Sequence, residues 1–561
     1  MPSINIVKHS SLNYLFWLIK LSVVLLFATF FLTDTNAYAG EMTMHAIYVG
    51  RGDSIVIESN GHYMLVDSGT PEASDTILEY LNNLEIPENK IDYIISTHPD
   101  GDHVGGFAAI FDAYEVGQVF YSPCTKALAS YFDFINSVKE KGFPFRTLKD
   151  NESWTLGDAT VEVVYDGSQG STYNECSMVL RVTCDGKSIL LTGDLPSTME
   201  TSLMEQGYNF KADILKVGHH GAAASSCAKF LDAVGAKYAV ISSNKSDIAT
   251  LPKDSVLKRL ARRFVKTYRT TDDNVIINVK DGVISTKNKE NNGFISIKKG
   301  TITLSNNVFY ANGSQIKPSV TLTVNGVQVP SSNYSVKYSS NTYTGVATVK
   351  LTANEAKYVS ACSTTFLILP QKEKIYGKIS GEKDIELSWT KQSHASGYTF
   401  AYTTDKSFLT GKTYITVKDP KEVKRTIKKL EYNTNYYFVI RAYKTNVGYG
   451  KWSKILTVKT PKPPKPEKQH IKDYSVKKNK IKIVWDKQTS KHDAGYYVQY
   501  STDKKFKKKV TTIKYKSTEK NYRTLRDLKW KTKYYIRVQG FNEFGTGKWS
   551  KVLKAKTEKK K

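Results

Sequence analysis

Cysteine is scarce in this 561-residue chain and badly spaced for staples. Its five thiols are Cys124, Cys176, Cys184, Cys227 and Cys362. An odd number spread this widely is no disulfide framework, and none lies in a C-x-x-C pair. Buried or incidental thiols are the expectation, with Cys176 and Cys227 falling near candidate site loops. Long apolar runs are also missing. Beyond residue 39 no segment is apolar enough to cross a bilayer. Before it, Leu21 to Leu32 is almost wholly apolar but short for a span of about 20 residues. Lys8 and Lys20 precede that run, and Ala37-Tyr38-Ala39 follows it as a small-x-small site. Residues 1–39 therefore read as a secretory signal peptide cut after Ala39, with a retained anchor as the alternative. A secreted or cell-surface protein is expected.

Acidic residues are in short supply toward the C-terminus. Residues 371–561 hold 49 Lys+Arg against 17 Asp+Glu, a balance of +32. The chain as a whole carries +28, so residues 1–370 sum to −4. An exported polycation is drawn to anionic polymers by long-range attraction. The expected partners are a cell-wall phosphate polymer or extracellular DNA, and anionic lipid headgroups also qualify.

The pattern of apolar residues divides the chain. From 40 to about 290, short strand-like runs alternate with helical ones, as in a layered α/β domain. Ile91 to Thr97 reads as strand and Val104 to Tyr114 as helix. Asn288 to Asn292 is polar and turn-prone, a plausible linker. Residues 294–370 read as a small β-sandwich. After them a unit is duplicated: Ile385-Glu-Leu-Ser-Trp389 recurs as Ile481-Lys-Ile-Val-Trp485, and Gly450-Lys-Trp-Ser-Lys454 as Gly547-Lys-Trp-Ser-Lys551. Tyr436-Tyr437 likewise recurs as Tyr534-Tyr535. Short strands, a buried-type Trp and a late Tyr fit Ig-like sandwiches at 371–460 and 467–557. Pro461-Lys-Pro-Pro-Lys-Pro466 separates the copies as a stiff spacer. Tyr and Lys interleave through both, but many of these aromatics recur at core positions of the repeat.

The chemistry concentrates at His98-Pro99-Asp100-Gly101-Asp102-His103. Four potential ligands lie on a tight strand-to-helix loop, and imidazole with carboxylate suits zinc or a harder ion such as manganese. A solvated acidic turn that happens to hold histidine is the bland alternative. Later stretches weigh against it: Leu191-Thr-Gly-Asp194, and Leu215-Lys-Val-Gly-His219-His220-Gly221 followed by Ser225-Ser226.

The hexapeptide resembles the metallo-β-lactamase superfamily signature His-x-His-x-Asp-His. Tyr48-Val-Gly-Arg-Gly-Asp-Ser54, Val66-Asp67-Ser68-Gly69 and the two later stretches resemble, in order, motifs of its competence-protein (ComEC-like) branch. There Asp commonly replaces the second His, as Asp100 does here. Residues 294–370 are similar to a bacterial surface β domain, and the duplicated unit resembles fibronectin type III. The resemblance implies a multidomain chain: an N-terminal αββα sandwich, then three all-β Ig-like sandwiches. It implies two divalent metal ions, with zinc first and manganese second. His98 and Asp100 would hold one ion, Asp102, His103 and His220 the other, and Asp194 would bridge them. Asp102 and His219 are the catalytic candidates, with His219 a donor to the substrate or transition state and an exchange of roles between His219 and His220 as the alternative.

One departure matters. The superfamily places another histidine ligand before the bridging aspartate, yet no histidine occurs from 104 to 218. Asn174-Glu-Cys-Ser177 resembles the branch's Asn-x-x-Ser pattern, which makes Asn174 and Ser177 substrate contacts or weak ligands. Asp53 and Asp67 are expected to support the ligands, with turn capping an equal alternative for Asp53. Lys216 is expected at a solvated strand end, or else facing a phosphate. The functional expectation is an exported metal-dependent hydrolase of phosphodiesters or phosphoesters, in nucleic acid or wall polymer. Alternatives are a phosphocholine esterase acting on wall polymers and a non-catalytic adhesin with a degenerate hydrolase domain.

Overall fold

Alternation of apolar side chains builds the first domain. The computed structural model describes residues 40–244, 250–271 and 273–560, so the expected signal peptide lies outside the described residues. In β1 (Glu41–Ala46) Met42, Met44 and Ala46 enter one core, joined by Ile55 and Ile57 of β2 (Ser54–Ser59). Strand β3 (His62–Ser68) is apolar on both faces. Met64 and Val66 join the first core, while Tyr63 and Leu65 enter a second one behind the sheet. A strand of that kind has to be covered on both sides.

Helices supply the cover. After α1 (Ser74–Asn83) come β4 (Lys90–Ser96), α2 (Gly101–Val104), α3 (Phe107–Ala113), β5 (Glu115–Tyr121), α4 (Ala129–Lys141) and β6 (Phe145–Arg146). Ile77 and Leu81 of α1, Phe107 and Phe111 of α3, and Phe134 of α4 pack with Tyr63 and Leu65. The helix expected over 104–114 is broken at Gly105-Gly106. A Cβ on Gly106 would lie 2.4 Å from the Ser68 carbonyl oxygen, so this close approach needs glycine.

The second sheet follows with β7 (Ser153–Leu156), β8 (Ala159–Tyr165), β9 (Val179–Cys184), β10 (Lys187–Leu191), α5 (Ser197–Glu205), β11 (Ile214–Lys216), α6 (Ala228–Val234), β12 (Tyr238–Ile241), α7 (Asp254–Arg262) and β13 (Lys266–Arg269). The chain then returns to the first sheet with β14 (Val275–Lys280) and β15 (Val283–Ser285). The strand orders are β15-β14-β1-β2-β3-β4-β5-β6 and β13-β12-β11-β10-β9-β8-β7. Leu180, Val182, Ile189 and Leu191 meet the first sheet's Met44, Ile57 and Val66 between the layers. On the outer side Leu190 and Leu215 pack with Leu203, Phe230 and Leu260. The result is an αββα sandwich. β3 pairs in parallel with β4, and β10 with β11. Within each pair the carboxyl ends therefore share an edge, the usual place for a site in such sheets.

Asn288 to Asn292 is not a free linker. Asn292 is buried, and its side-chain amide donates to the Leu257 carbonyl at 3.2 Å and the Thr267 hydroxyl at 3.0 Å. Asn291 and Asn288 bond back to β13 and to the backbone before β14. Side-chain amides here do what strand pairing would otherwise do. Farther on, Thr301–Leu304, Val320–Val324 and Val327–Val329 form a three-stranded antiparallel sheet.

The two C-terminal repeats are built alike. Ile375–Ile379, Ile385–Trp389 and Lys424–Ile427 make one sheet of the first, and Ile471–Lys477, Lys480–Trp485 and Tyr522–Leu525 its counterpart. Trp389 packs edge-on against Tyr398, and Trp485 against Tyr496. Each tyrosine hydroxyl accepts a backbone N–H, from Gln392 at 2.8 Å and Gln488 at 2.7 Å. These four aromatics are thus core residues. The copies are not held apart by the proline segment alone. His492 meets Glu382 at 2.7 Å, and Asn542 donates to the Pro464 carbonyl at 2.9 Å.

Candidate metal centre

Five loops at the carboxyl edge converge on Asp194, which follows β10. Its carboxylate is almost fully buried. Four imidazole Nε2 atoms face it: His103 at 3.4 Å, His220 at 3.5 Å, His219 at 3.7 Å and His98 at 4.0 Å. His220 Nε2 also lies 3.7 Å from Asp102. These separations exceed a good N–H···O hydrogen bond of about 2.7–3.2 Å. The shortest of them match the spacing of about 3.3–3.4 Å between atoms that share a tetrahedral ion at 2.0–2.1 Å, and the others are a few tenths of an ångström wider. His98, His103 and Asp194 form one candidate ligand group, and Asp102, His103 and His220 another.

The rings are aimed from behind. Asp67 accepts from the Thr97 backbone N–H at 2.8 Å, the Thr97 hydroxyl at 2.7 Å and His103 Nδ1 at 2.8 Å. The Thr97 hydroxyl has spent its proton on Asp67. It must therefore accept from His98 Nδ1, 3.0 Å away. Both rings then carry the proton on Nδ1 and turn the Nε2 lone pair toward Asp194. Asp53 stands behind His220, with Oδ1 3.4 Å from Nδ1. Its other oxygen pairs with Lys216 at 2.7 Å. Lys216 is fully buried, so it is neither solvated nor able to face a phosphate from outside.

Backbone geometry completes the aim. His219 and His220 both have left-handed φ, 50° and 52°, so consecutive imidazoles swing into the site. Such strain is held by its surroundings. Buried Glu200 accepts from the Cys227 N–H at 2.8 Å, and Arg259 donates to the Ser225 carbonyl at 2.9 Å, tying down the loop that follows. A Cβ on Gly52 would sit 2.3 Å from the Asp102 carbonyl oxygen, so only glycine lets the β1–β2 loop touch the signature turn.

The structure leaves Asp100 outside the ligand groups. Its carboxylate is taken by Lys126 at 2.7 Å. Asn174, expected as a substrate contact or weak ligand, stands beside His219. Its amide lies 3.4 Å from His219 Nδ1, behind a ring. The Ser177 hydroxyl accepts the Asp194 backbone N–H at 3.0 Å, which fixes the central carboxylate. The expectation of unpaired thiols is corrected as well. Cys124 and Cys176 are bonded, Cα to Cα 6.1 Å, while Cys184, Cys227 and Cys362 are free. Arg51, exposed, reaches within 3.7 Å of Asp102. Lys126, Glu200 and Arg259 carried no motif signal, because their partners lie far away in sequence.

The site calls for positive charge. Burial opposes protonation of His220, but Asp194 and Asp53 outweigh it and lift the ring to about 9. Against the same burial, Asp194 and Asp67 raise His103 well above the ordinary value. Burial and the neighbouring His103 hold His98 neutral, down at about 3. Asp194 stays ionised despite burial because His220 and His103 face it. His98 Nε2, His103 Nε2, His220 Nε2 and Asp194 Oδ1 are buried without a hydrogen-bond partner. Buried ligand atoms without hydrogen-bond partners, aimed at one point that draws positive charge, fit divalent cations, which would take the place of the protons on His103 and His220.

Comparison with known proteins agrees. Residues 47–243 match the profile of the metallo-β-lactamase superfamily. Residues 370–459 and 464–556 match that of the fibronectin type III domain. Competence protein ComA of Neisseria gonorrhoeae is 30% identical over 228 residues, covering 39% of this chain and 30% of that protein. ComE operon protein 3 of Bacillus subtilis is 26% identical over 256 residues, covering 42% and 32%. Recombination protein 2 of Haemophilus influenzae is 27% identical over 234 residues, covering 41% and 27%. The match thus spans about a third of these relatives or less. By motif order, layered fold and profile, residues 47–243 form a metallo-β-lactamase superfamily domain, and two fibronectin type III domains follow in the same chain.

Proposed function

We propose that the first domain is a metal-dependent hydrolase of phosphodiester bonds, acting on nucleic acid outside the cell. The observation that carries this reading is the set of imidazole Nε2 atoms gathered 3.4–4.0 Å around Asp194, three of them buried and unpartnered. The competence and recombination proteins among the relatives favour nucleic acid as the polymer. His98, Asp102, His103, Asp194 and His220 would hold two divalent ions, zinc or manganese. Such ions supply Lewis acidity toward a phosphoryl oxygen and make water more acidic.

The chain's own groups do the rest. Asp102 and Asp194 stay ionised beside the histidines that face them. Ser177 and the Asp67–Thr97 pair keep the central carboxylate and two rings from turning. His219 differs from the other three: its side chain is 31% exposed, against 4% or less for them. It is placed to meet the substrate and donate to a phosphoryl or leaving oxygen, with Asn174 steadying its far nitrogen. The C-terminal repeats, whose Trp389, Tyr398, Trp485 and Tyr496 side chains are spent on their cores, serve as a charge-based tether to an anionic polymer.

Metal analysis with a hydrolysis panel of oligonucleotide, model phosphodiester and phosphocholine substrates tests this. About two equivalents of bound metal and turnover of the first two are expected, both lost in Asp194→Ala. No bound metal after supplementation would make the protein an adhesin, and turnover confined to phosphocholine would make it an esterase of that class.

A further inference from the structure

The disulfide Cys124–Cys176 joins two loops that form one wall of the metal centre. Ser122 donates to the Cys176 carbonyl at 2.9 Å beside it. The second loop is stiffened further. Glu175 accepts the backbone N–H groups of Ser171 and Thr172 at 3.0 and 3.1 Å, and Tyr165 donates to the Glu175 carbonyl at 3.2 Å. On this rigid rim stands Tyr173, 43% exposed. Its neighbour Asn174 touches His219. Lys126 lies 4.5 Å from the centroid of the Tyr173 ring and 2.7 Å from Asp100. Arg51 sits by the other aspartate of the signature turn, Asp102.

The Tyr173 ring carries Lys126 over one face, and its hydroxyl makes no hydrogen bond among the described residues. An aromatic ring, flanking cations and a phosphodiester-cleaving centre are the parts of a single-strand binding groove. We propose that Tyr173 is a stacking platform for an unpaired base next to the scissile bond, with Lys126 and Arg51 taking the adjoining phosphates. This rests on the phosphodiesterase reading above. It makes Tyr173 a specificity-determining residue: bases within a duplex have their faces already stacked, so an unpaired base is preferred.

The test compares a short oligothymidylate with its abasic analogue on the full chain loaded with manganese. Wild type should favour the base-bearing strand roughly tenfold in kcat/KM, as one stacked base provides. Tyr173→Ala should bring that ratio to about one, and Tyr173→Phe should keep it. A second readout needs no turnover. In EDTA, the fluorescence of a 2-aminopurine-labelled strand should be quenched more by wild type and Tyr173→Phe than by Tyr173→Ala, the tail being identical in all three. An unchanged ratio in Tyr173→Ala, or equal quenching by the three proteins, overturns the platform. Absence of hydrolysis of either strand by wild type would defeat the phosphodiesterase reading instead, and the quenching would still decide the platform.

Discussion

Lys216 and Asp53 are ionic partners in a place where neither would be stable alone. Both side chains are buried, and they meet at 2.7 Å. Removing one partner of a buried pair strands the other charge and typically costs about 3–5 kcal/mol. Here the stranded group would be the carboxylate behind His220. Lys216→Met should therefore lower unfolding stability by roughly that amount and weaken metal binding as well. Urea titration with and without metal measures both, and a variant as stable as wild type would discount the pair. Which residue roles could be read beforehand follows from distance along the chain. His98, Asp102 and His103 sit within one turn, and Asp194 and His220 each lie in a compact motif. Asp100 looked identical to its neighbours, and only Lys126, delivered by the next loop, withdraws it from the cluster. Lys216 read as a solvated strand end because nothing near it in sequence announces Asp53.

At the scale of elements, the site exists because parallel strands β3, β4, β10 and β11 end at one edge and hand their loops to each other. Periodicity showed most of these strands and helices. It missed what side chains alone decide: the break at Gly106, the docking of Asn292, and the bond between Cys124 and Cys176. The two cysteines are 52 residues apart. An odd cysteine count hid the pairing. Closing a loop of that length should stabilise the domain by about 4 kcal/mol in the chain-entropy model, less where the reduced chain keeps structure. Replacing both cysteines with serine should lower the melting temperature of the first domain and raise KM for a polymeric substrate, as the wall carrying Tyr173 loosens. Metal content should stay at the wild-type level, since neither loop contributes to the ligand groups. Equal melting of wild type under oxidising and reducing conditions would contradict the structural role given to this bond.

At the scale of the whole molecule, charge is divided between a near-neutral first part and a tail with a balance of +32. The duplication and the charge were visible in the sequence, and so was the core role of Trp389, Trp485, Tyr436 and Tyr534. The densest cationic segment is Lys504 to Lys509, and it is ordered. The Asp503 carboxylate accepts the backbone N–H groups of Lys505, Lys507 and Lys508 at 2.9, 2.7 and 3.0 Å, so five lysines project from one fixed turn. Lysine acts as a point charge, without the geometric fork of arginine. The tail should therefore hold anionic polymers by charge and not by shape. Binding of that kind releases counterions, so the logarithm of affinity falls linearly with that of salt, with a slope of about −0.9 for each phosphate neutralised on B-DNA. Titrating the protein with DNA and with a wall phosphate polymer at several salt concentrations should give similar affinities and steep slopes. Changing Lys504, Lys505, Lys507, Lys508 and Lys509 to glutamine should flatten the DNA slope by up to roughly 4–5. Salt-insensitive binding to one polymer alone, untouched by those substitutions, would mean that the repeats read a specific structure and do not act as a charged tether.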